Sequence, residues 1–168
     1  MSDTTDTGSN AAATRMPVIG VLVGSTRPVR VGRQLADQIA ELARLRSEAE
    51  IVVIDLAEVA LPWLDEPKMP ARGDYEHAHT RAWARTVAGL DAVIVVSPQY
   101  NGGYPAPLKN AIDSLYAEWR RKPVLLVTYG YHGGTSAAAQ LETVFGVVKA
   151  DLLQPRIAIT ATDADRDA

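Results

Sequence analysis

The chain contains no cysteine. That excludes a disulfide framework, a thiolate metal site and a cysteine nucleophile, and it favours a reducing compartment. Nor does either charge sign dominate. Seventeen basic against twenty acidic residues give a formal charge of −3 and a pI near 5.6, which argues against a general electrostatic grip on nucleic acid or anionic lipid. No apolar run approaches the length of a membrane span. The first fifteen residues place Asp3 and Asp6 where a signal peptide wants a basic end before an apolar stretch. A cytoplasmic chain with no nucleic-acid or membrane partner is expected. The Walker pattern with its lysine is missing too, as is the dinucleotide pattern Gly-x-Gly-x-x-Gly.

What is present is enough apolar material for one domain: 168 residues, 47% of them hydrophobic. Residues 1–15 are small and polar without periodicity and are expected to be a disordered tail. The domain is expected over 16–160. Its first strand is Val18-Ile19-Gly20-Val21-Leu22-Val23, an unbroken β-branched run of the kind buried on both faces of a parallel sheet. Similar runs lie at 51–54, 92–96 and 124–127, and a weaker one at 156–160. Between them, apolar residues at helical spacing mark helices through Leu35, Ile39 and Leu42, through Trp83, Val87 and Leu90, from Leu108 to Trp119, and through Leu141, Phe145 and Val148. Strict β-α alternation with doubly buried strands predicts an α/β three-layer sandwich, an open five-stranded parallel sheet in the order 2-1-3-4-5.

Ligands of such sheets bind beyond the carboxyl ends of the strands where the strand order reverses, here between the first and third. The loops at that point are unusual. After the first strand, Gly24-Ser25-Thr26-Arg27-Pro28 continues through Arg30 to Gly32 and Arg33 just before a helix whose free amides favour an anion. It reads as a phosphate cradle, with hydroxyls from Ser25 and Thr26 and a planar fork from Arg27. Arg30 and Arg33 are weaker cases that can pair with acids or face water. After the third strand, Ser97-Pro98-Gln99-Tyr100-Asn101-Gly102-Gly103-Tyr104 sets aromatic faces around backbone that can approach a flat ring closely. The competing reading is a wide turn using Asn and Gly for positive φ. After the fourth strand, Tyr129-Gly130-Tyr131-His132-Gly133-Gly134 again combines glycine and aromatics ahead of a helix. A phosphate cradle beside an aromatic, glycine-lined slot suits a mononucleotide with a large planar head.

These loops, together with Leu108-Lys109-Asn110-Ala111-Ile112-Asp113, closely resemble the NADPH-dependent FMN reductase family over about residues 17–160. The resemblance implies a flavodoxin-like fold. It assigns Ser25 and Arg27 to the FMN phosphate with Thr26 beside them, and Pro98, Gln99, Tyr100, Asn101 and Gly102 to the ring and ribityl chain, mainly through their main-chain groups. Tyr129, Gly130, His132 and Gly133 fall in the loop that closes the pyrimidine side. Arg30 stands where many members carry serine, and is expected to replace it; Gly32 stands where many carry asparagine, and Gln99 where many carry glutamate. The implied activity passes hydride from NADPH, or NADH, through FMN to a flavin, quinone or similar small-molecule acceptor in ping-pong fashion.

No side chain beyond the cofactor is assigned to catalysis, since the cofactor carries the chemistry. His132 is the single candidate acid, against a plainer reading as a solvated loop residue. His77 and His79 are expected to face opposite sides or a disordered loop, with no third ligand for a metal. Lys109, Asn110 and Asp113 are expected to brace the helix or an interface. The proline-rich segment 61–70 holds Trp63 and Leu64, which either fold back or dock against a second subunit; the resemblance favours a homodimer or homotetramer. Members commonly carry a helix after the fifth strand, whereas residues 161–168 are expected to form only a short polar tail. The alternative function is a flavodoxin-type carrier that binds FMN without using NAD(P)H. Its hydroxyl-rich, weakly charged phosphate loop and strong acidity are not matched by Arg27, Arg30 and a charge of −3.

Overall fold

In the computed structural model, residues 15–160 are described. The apolar runs become strands β1 Val18–Val23, β2 Glu50–Asp55, β3 Ala92–Pro98 and β4 Pro123–Gly130. The helices are α1 Val31–Arg46, a single turn α2 Leu56–Val59, α3 Ala78–Ala88, α4 Ala106–Asp113 and α5 Thr135–Val147. The sheet runs β2-β1-β3-β4 with every neighbour parallel, so the order reverses at β1 and β3 as expected. Register aligns Val23 with both Asp55 and Val96, and Pro98 with Tyr129. The carboxyl ends of four strands therefore finish together, and the loops that follow share one rim.

The fifth position is split, contrary to the single run expected at 156–160. Strands β5 Asp151–Leu152 and β6 Ile157–Thr160 both lie parallel to β4, one at its start and the other at its end. Between the two paired stretches this edge carries two more residues than β4 does. Pro155 lies in that excess, where its missing N–H removes a ladder donor.

Two apolar clusters sit on opposite faces of the sheet. On one face α3, α4 and α5 contribute Trp83, Leu108, Ile112, Leu141 and Phe145 to the larger cluster; on the other α1 packs over Val21, Val23, Val96 and Val127. The buried stripe of α1 is Gly32, Ala36 and Ala40, and Leu42, expected inward, is 58% exposed. Small residues four apart let the helix lie close on the sheet, and Leu42 falls off that stripe. The helix expected to reach Trp119 stops at Asp113, where the Ser114 hydroxyl donates to the Asn110 carbonyl at 2.7 Å. Trp119 enters from a separate turn instead. Its indole N–H donates to Ile112 O at 3.1 Å and its ring meets Trp83 and Phe145 edge-on.

The irregular stretch between α2 and α3 is held by polar clasps. Buried Asn110 accepts from Leu64 N at 2.9 Å and donates to Pro62 O at 2.8 Å, so it braces this stretch as well as its own helix. Burial opposes ionisation of Glu66, yet the N–H of Glu76, the Thr80 hydroxyl and the N–H of His77 outweigh it and hold the carboxyl down at about 2. His77 and His79 do not diverge. His77 precedes α3 with extended backbone, so its ring stacks on that of His79 at 5.2 Å, and both rings bond Asp65. Trp63, Leu64 and Met69 remain exposed, Trp63 at 69%.

The tail expected over 1–15 lies outside the described residues except for Arg15, whose guanidinium grips Asp91 through two bonds of 2.7 and 2.9 Å. The polar tail expected over 161–168 also lies outside them. Among the described residues no helix is long and apolar enough to cross a membrane.

Candidate functional site

The loop after β1 delivers three kinds of donor to the amino end of α1. Ser25 is fully buried, Thr26 is half-buried and Arg27 is exposed, with its guanidinium 6.0 Å from the centre of the Tyr100 ring. Helix α1 has no side-chain cap and no acid in its first turn, so its leading amides stay available to an anion.

Arg30 does not face water. It pairs with Asp55, whose side chain is completely buried at the end of β2, and donates to the Arg27 carbonyl at 2.9 Å. Asp55 is fully occupied, since it also caps α2 through Ala57 N at 2.9 Å and takes a longer bond from Arg33. Arg33 is committed elsewhere, to Glu58 at 2.7 Å and to Asp37 one turn along. The Nε of Arg30 is buried and has no partner among the described residues. A buried donor without an acceptor costs free energy, so this is a place where an added acceptor would be gained.

The loop after β3 is a tight hairpin. Tyr100 and Gly103 exchange backbone bonds of 2.8 and 3.0 Å around Asn101 and Gly102, both with positive φ. That is the backbone an Asn-Gly pair favours. The N–H groups of Asn101 and Gly102 keep no partner among the described residues, and a Cβ on Gly102 would meet open space. Pro98 is buried at the end of β3. The side-chain oxygen of Gln99 accepts from Ser136 N at 2.9 Å and Ala137 N at 3.2 Å, so it caps α5 and leaves the main chain of Gln99 in the loop. Gln140, further along α5, donates to Gly102 O at 2.9 Å.

The loop after β4 is folded through glycines. Gly130, Gly133 and Gly134 all have positive φ, and the Thr128 hydroxyl donates to Gly133 O at 2.7 Å. Tyr129 is buried against the α1 cluster, and burial, followed by the neighbouring Tyr100, pushes its phenol well above the ordinary range. Ser25 bonds the Tyr100 hydroxyl at 2.6 Å, and the Tyr129 hydroxyl stands over Gly32 in the first turn of α1. Ser25, Arg27, Arg30, Tyr100 and Tyr129 are thus brought together. His132 sits exposed on the outer part of the β4 loop, and Tyr104 is half-buried against the larger core cluster, away from that group.

Three contributors escaped sequence reasoning. Asp55 carried a signal, an acid at the carboxyl end of a buried strand beside the reversal point. Gln140 carried none. Gly32 registered only as an unusual residue, whereas any Cβ there would collide with the Tyr129 hydroxyl.

Comparison with known proteins agrees with this architecture. A family model described as NADPH-dependent FMN reductase matches residues 17–163. An NAD(P)H-dependent FMN reductase of Schizosaccharomyces pombe is 44% identical over 135 residues, covering 79% of this chain and 68% of the relative. A quinone reductase of Pseudomonas putida is 33% identical over 130 residues, covering 71% of this chain and 64% of the relative. Among solved structures, a flavoenzyme NAD(P)H:(acceptor) oxidoreductase of Paracoccus denitrificans superposes with a TM-score of 0.72 at 22% identity, over 89% of this chain and 82% of that one. The last shares the fold, flavodoxin-like with helices on both faces of the sheet. With a family model spanning most of its length and a relative above 40% identity, the chain belongs to the NADPH-dependent FMN reductase family.

Proposed function

We propose that this chain holds FMN at the rim where β1, β3 and β4 end, and uses NAD(P)H to reduce a quinone-type or flavin acceptor there. The observation that carries the reading is the buried, unpartnered Nε of Arg30 beside the uncapped amino end of α1. With Ser25 and Arg27 it makes a donor set without a competing free carboxylate, because Asp55 is already occupied. Such a set suits a phosphate.

Bound there, FMN supplies two-electron transfer between the nicotinamide and the acceptor. The chain's own part is to bind and orient. Ser25, Thr26, Arg27 and Arg30 hold the phosphate end. The free N–H groups of Asn101 and Gly102 point donors at the planar end, where they favour the negative charge a reduced ring carries. Gly130 and Gly133, at positive φ, keep the β4 loop close against that end, with Pro98 and Gln99 fixing its base. His132 is exposed to solvent, and proton delivery needs no buried acid. Exposed Trp63, Leu64 and Met69 support assembly as a homodimer or homotetramer through the stretch between α2 and α3.

Arg27→Ala tests the reading. FMN affinity should fall by about tenfold or more, because a charge-assisted bond to phosphate contributes roughly 1.5 to 3 kcal/mol, while riboflavin, which lacks the phosphate, should bind nearly as before. Equal weakening of both flavins in fluorescence titrations would mean that Arg27 acts through the fold and not on the phosphate.

A further inference from the structure

We propose that Asp55 is a positioning residue for the phosphate end: its carboxylate clamps the Arg30 guanidinium so that Nε is held in place and unspent for the phosphate, and through Arg30 it also ties down the backbone that carries Arg27. The proposal rests on the reading of the β1 loop as the phosphate cradle.

Asp55 ends β2 in register with Val23, the last residue of β1 before the cradle begins. Its side chain is completely buried, and its two oxygens do different work. Oδ1 accepts from Ala57 N at 2.9 Å and caps α2, whereas Oδ2 accepts from Arg30 Nη2 and, at 3.3 Å, from Arg33 Nη1. Arg33 is also held by Glu58 and Asp37, so Arg30 is the partner that depends on Asp55.

A guanidinium is planar and rigid, so two fixed bonds set the direction of every other N–H. Arg30 has those two, Nη2 on Asp55 and Nη1 on the Arg27 carbonyl at 2.9 Å. What they leave is Nε, buried and without a partner among the described residues. A free arginine loses conformational freedom on meeting a ligand, whereas a clamped one has lost it already. By charge alone a carboxylate beside an anion site weakens the site. Positioning and simple counter-charge therefore predict opposite signs when the carboxylate is removed.

The test compares FMN and riboflavin dissociation constants, by fluorescence quenching, for Asp55→Asn, Asp55→Ser and Arg30→Ala, singly and in pairs, with circular dichroism as the folding control. Asparagine and serine both keep one side-chain oxygen for the cap of α2 and lose the second carboxylate oxygen. Both should weaken FMN roughly tenfold and leave riboflavin within about twofold, the size of one charge-assisted contact to phosphate. In the Arg30→Ala background they should add almost nothing to that discrimination, because the group they position is gone. A second readout needs no change at Asp55. In the wild-type chain the Arg30 Nε–H resonance, assigned by its loss in Arg30→Lys, should exchange slowly with water before any flavin is added, and should shift with FMN but not with riboflavin.

Tighter FMN binding in Asp55→Asn would overturn the proposal, since Asp55 would then act only as a repelling charge. Equal loss of both flavins, or full additivity of the Asp55 and Arg30 changes, would overturn it as well. So would an Arg30 Nε–H that exchanges freely in the flavin-free chain. The underlying reading fails separately: if Arg27→Ala does not discriminate FMN from riboflavin, the cradle itself is wrong, whereas a selective Arg27 effect with silent Asp55 variants removes Asp55 alone.

Discussion

The loop after β1 and the loops after β3 and β4 meet on one rim yet are built on opposite plans. The first works with side chains: Arg30 is anchored by a carboxylate at the end of β2, and Arg27 is left exposed near an aromatic ring. The others work with backbone. Positive φ at Asn101, Gly102, Gly130, Gly133 and Gly134 sets their course, and two glutamines, Gln99 from the loop after β3 and Gln140 from α5, tie the β3 loop to α5. The difference teaches that charge recognition needs buried counter-charge, whereas recognition of a flat ring needs a fixed outline.

Breaking the first plan should have the largest effect. Asp55→Ala leaves Arg30 largely buried without its carboxylate and strips the cap from α2, and should cost about 3 kcal/mol in urea denaturation. A loss under about 1 kcal/mol would show that Arg30 relaxes into water and that the pair is not an anchor.

The second plan should break next. A Cβ on Gly134 would stand 2.9 Å from Thr128 Cβ and 3.0 Å from Tyr129 N at a φ of +66, so Gly134→Ala should destabilise by about 2 kcal/mol. It should disturb flavin binding without the FMN-over-riboflavin selectivity expected of first-loop variants. Selectivity for the phosphate in this variant would erase the distinction between the two plans.

Gln99→Ala is the mildest of the three. Removing the acceptor of Ser136 N and Ala137 N should cost about 1 kcal/mol, while Gln99→Glu should retain the cap because a carboxylate at a helix amino end accepts the same donors. If thermal melts rank the glutamate with the alanine variant, Gln99 does not act as a cap.

The same contrast explains what could be read from sequence. Strands β1 to β4 were legible because doubly buried strands demand unbroken β-branched runs, and the loops were legible because glycine, asparagine and arginine cluster at strand ends for conformational and electrostatic reasons. Leu42 and the break before Trp119 were not. Helical spacing marks an apolar stripe but not that Gly32, Ala36 and Ala40 form a closer-fitting one, nor that a tryptophan reaches the core better from its own turn. That the Gln99 side chain caps α5 is not legible in the sequence, because its partners lie 37 and 38 residues away, a separation no local pattern reports. Arg30 needed Asp55, 25 residues on, which only the register of β1 with β2 brings alongside.

The central claim is that the rim holds FMN and lets NAD(P)H reduce it. Its most direct test is the visible spectrum of the FMN-loaded, gel-filtered protein under anaerobic conditions, before and after NADPH and then after a quinone. The account predicts a flavin band that co-elutes with the chain, bleaches rapidly on adding NADPH and returns on adding the quinone. A bound flavin that NADPH leaves oxidised would contradict it and point to an electron carrier, and a chain that emerges without flavin would contradict the holding of FMN itself.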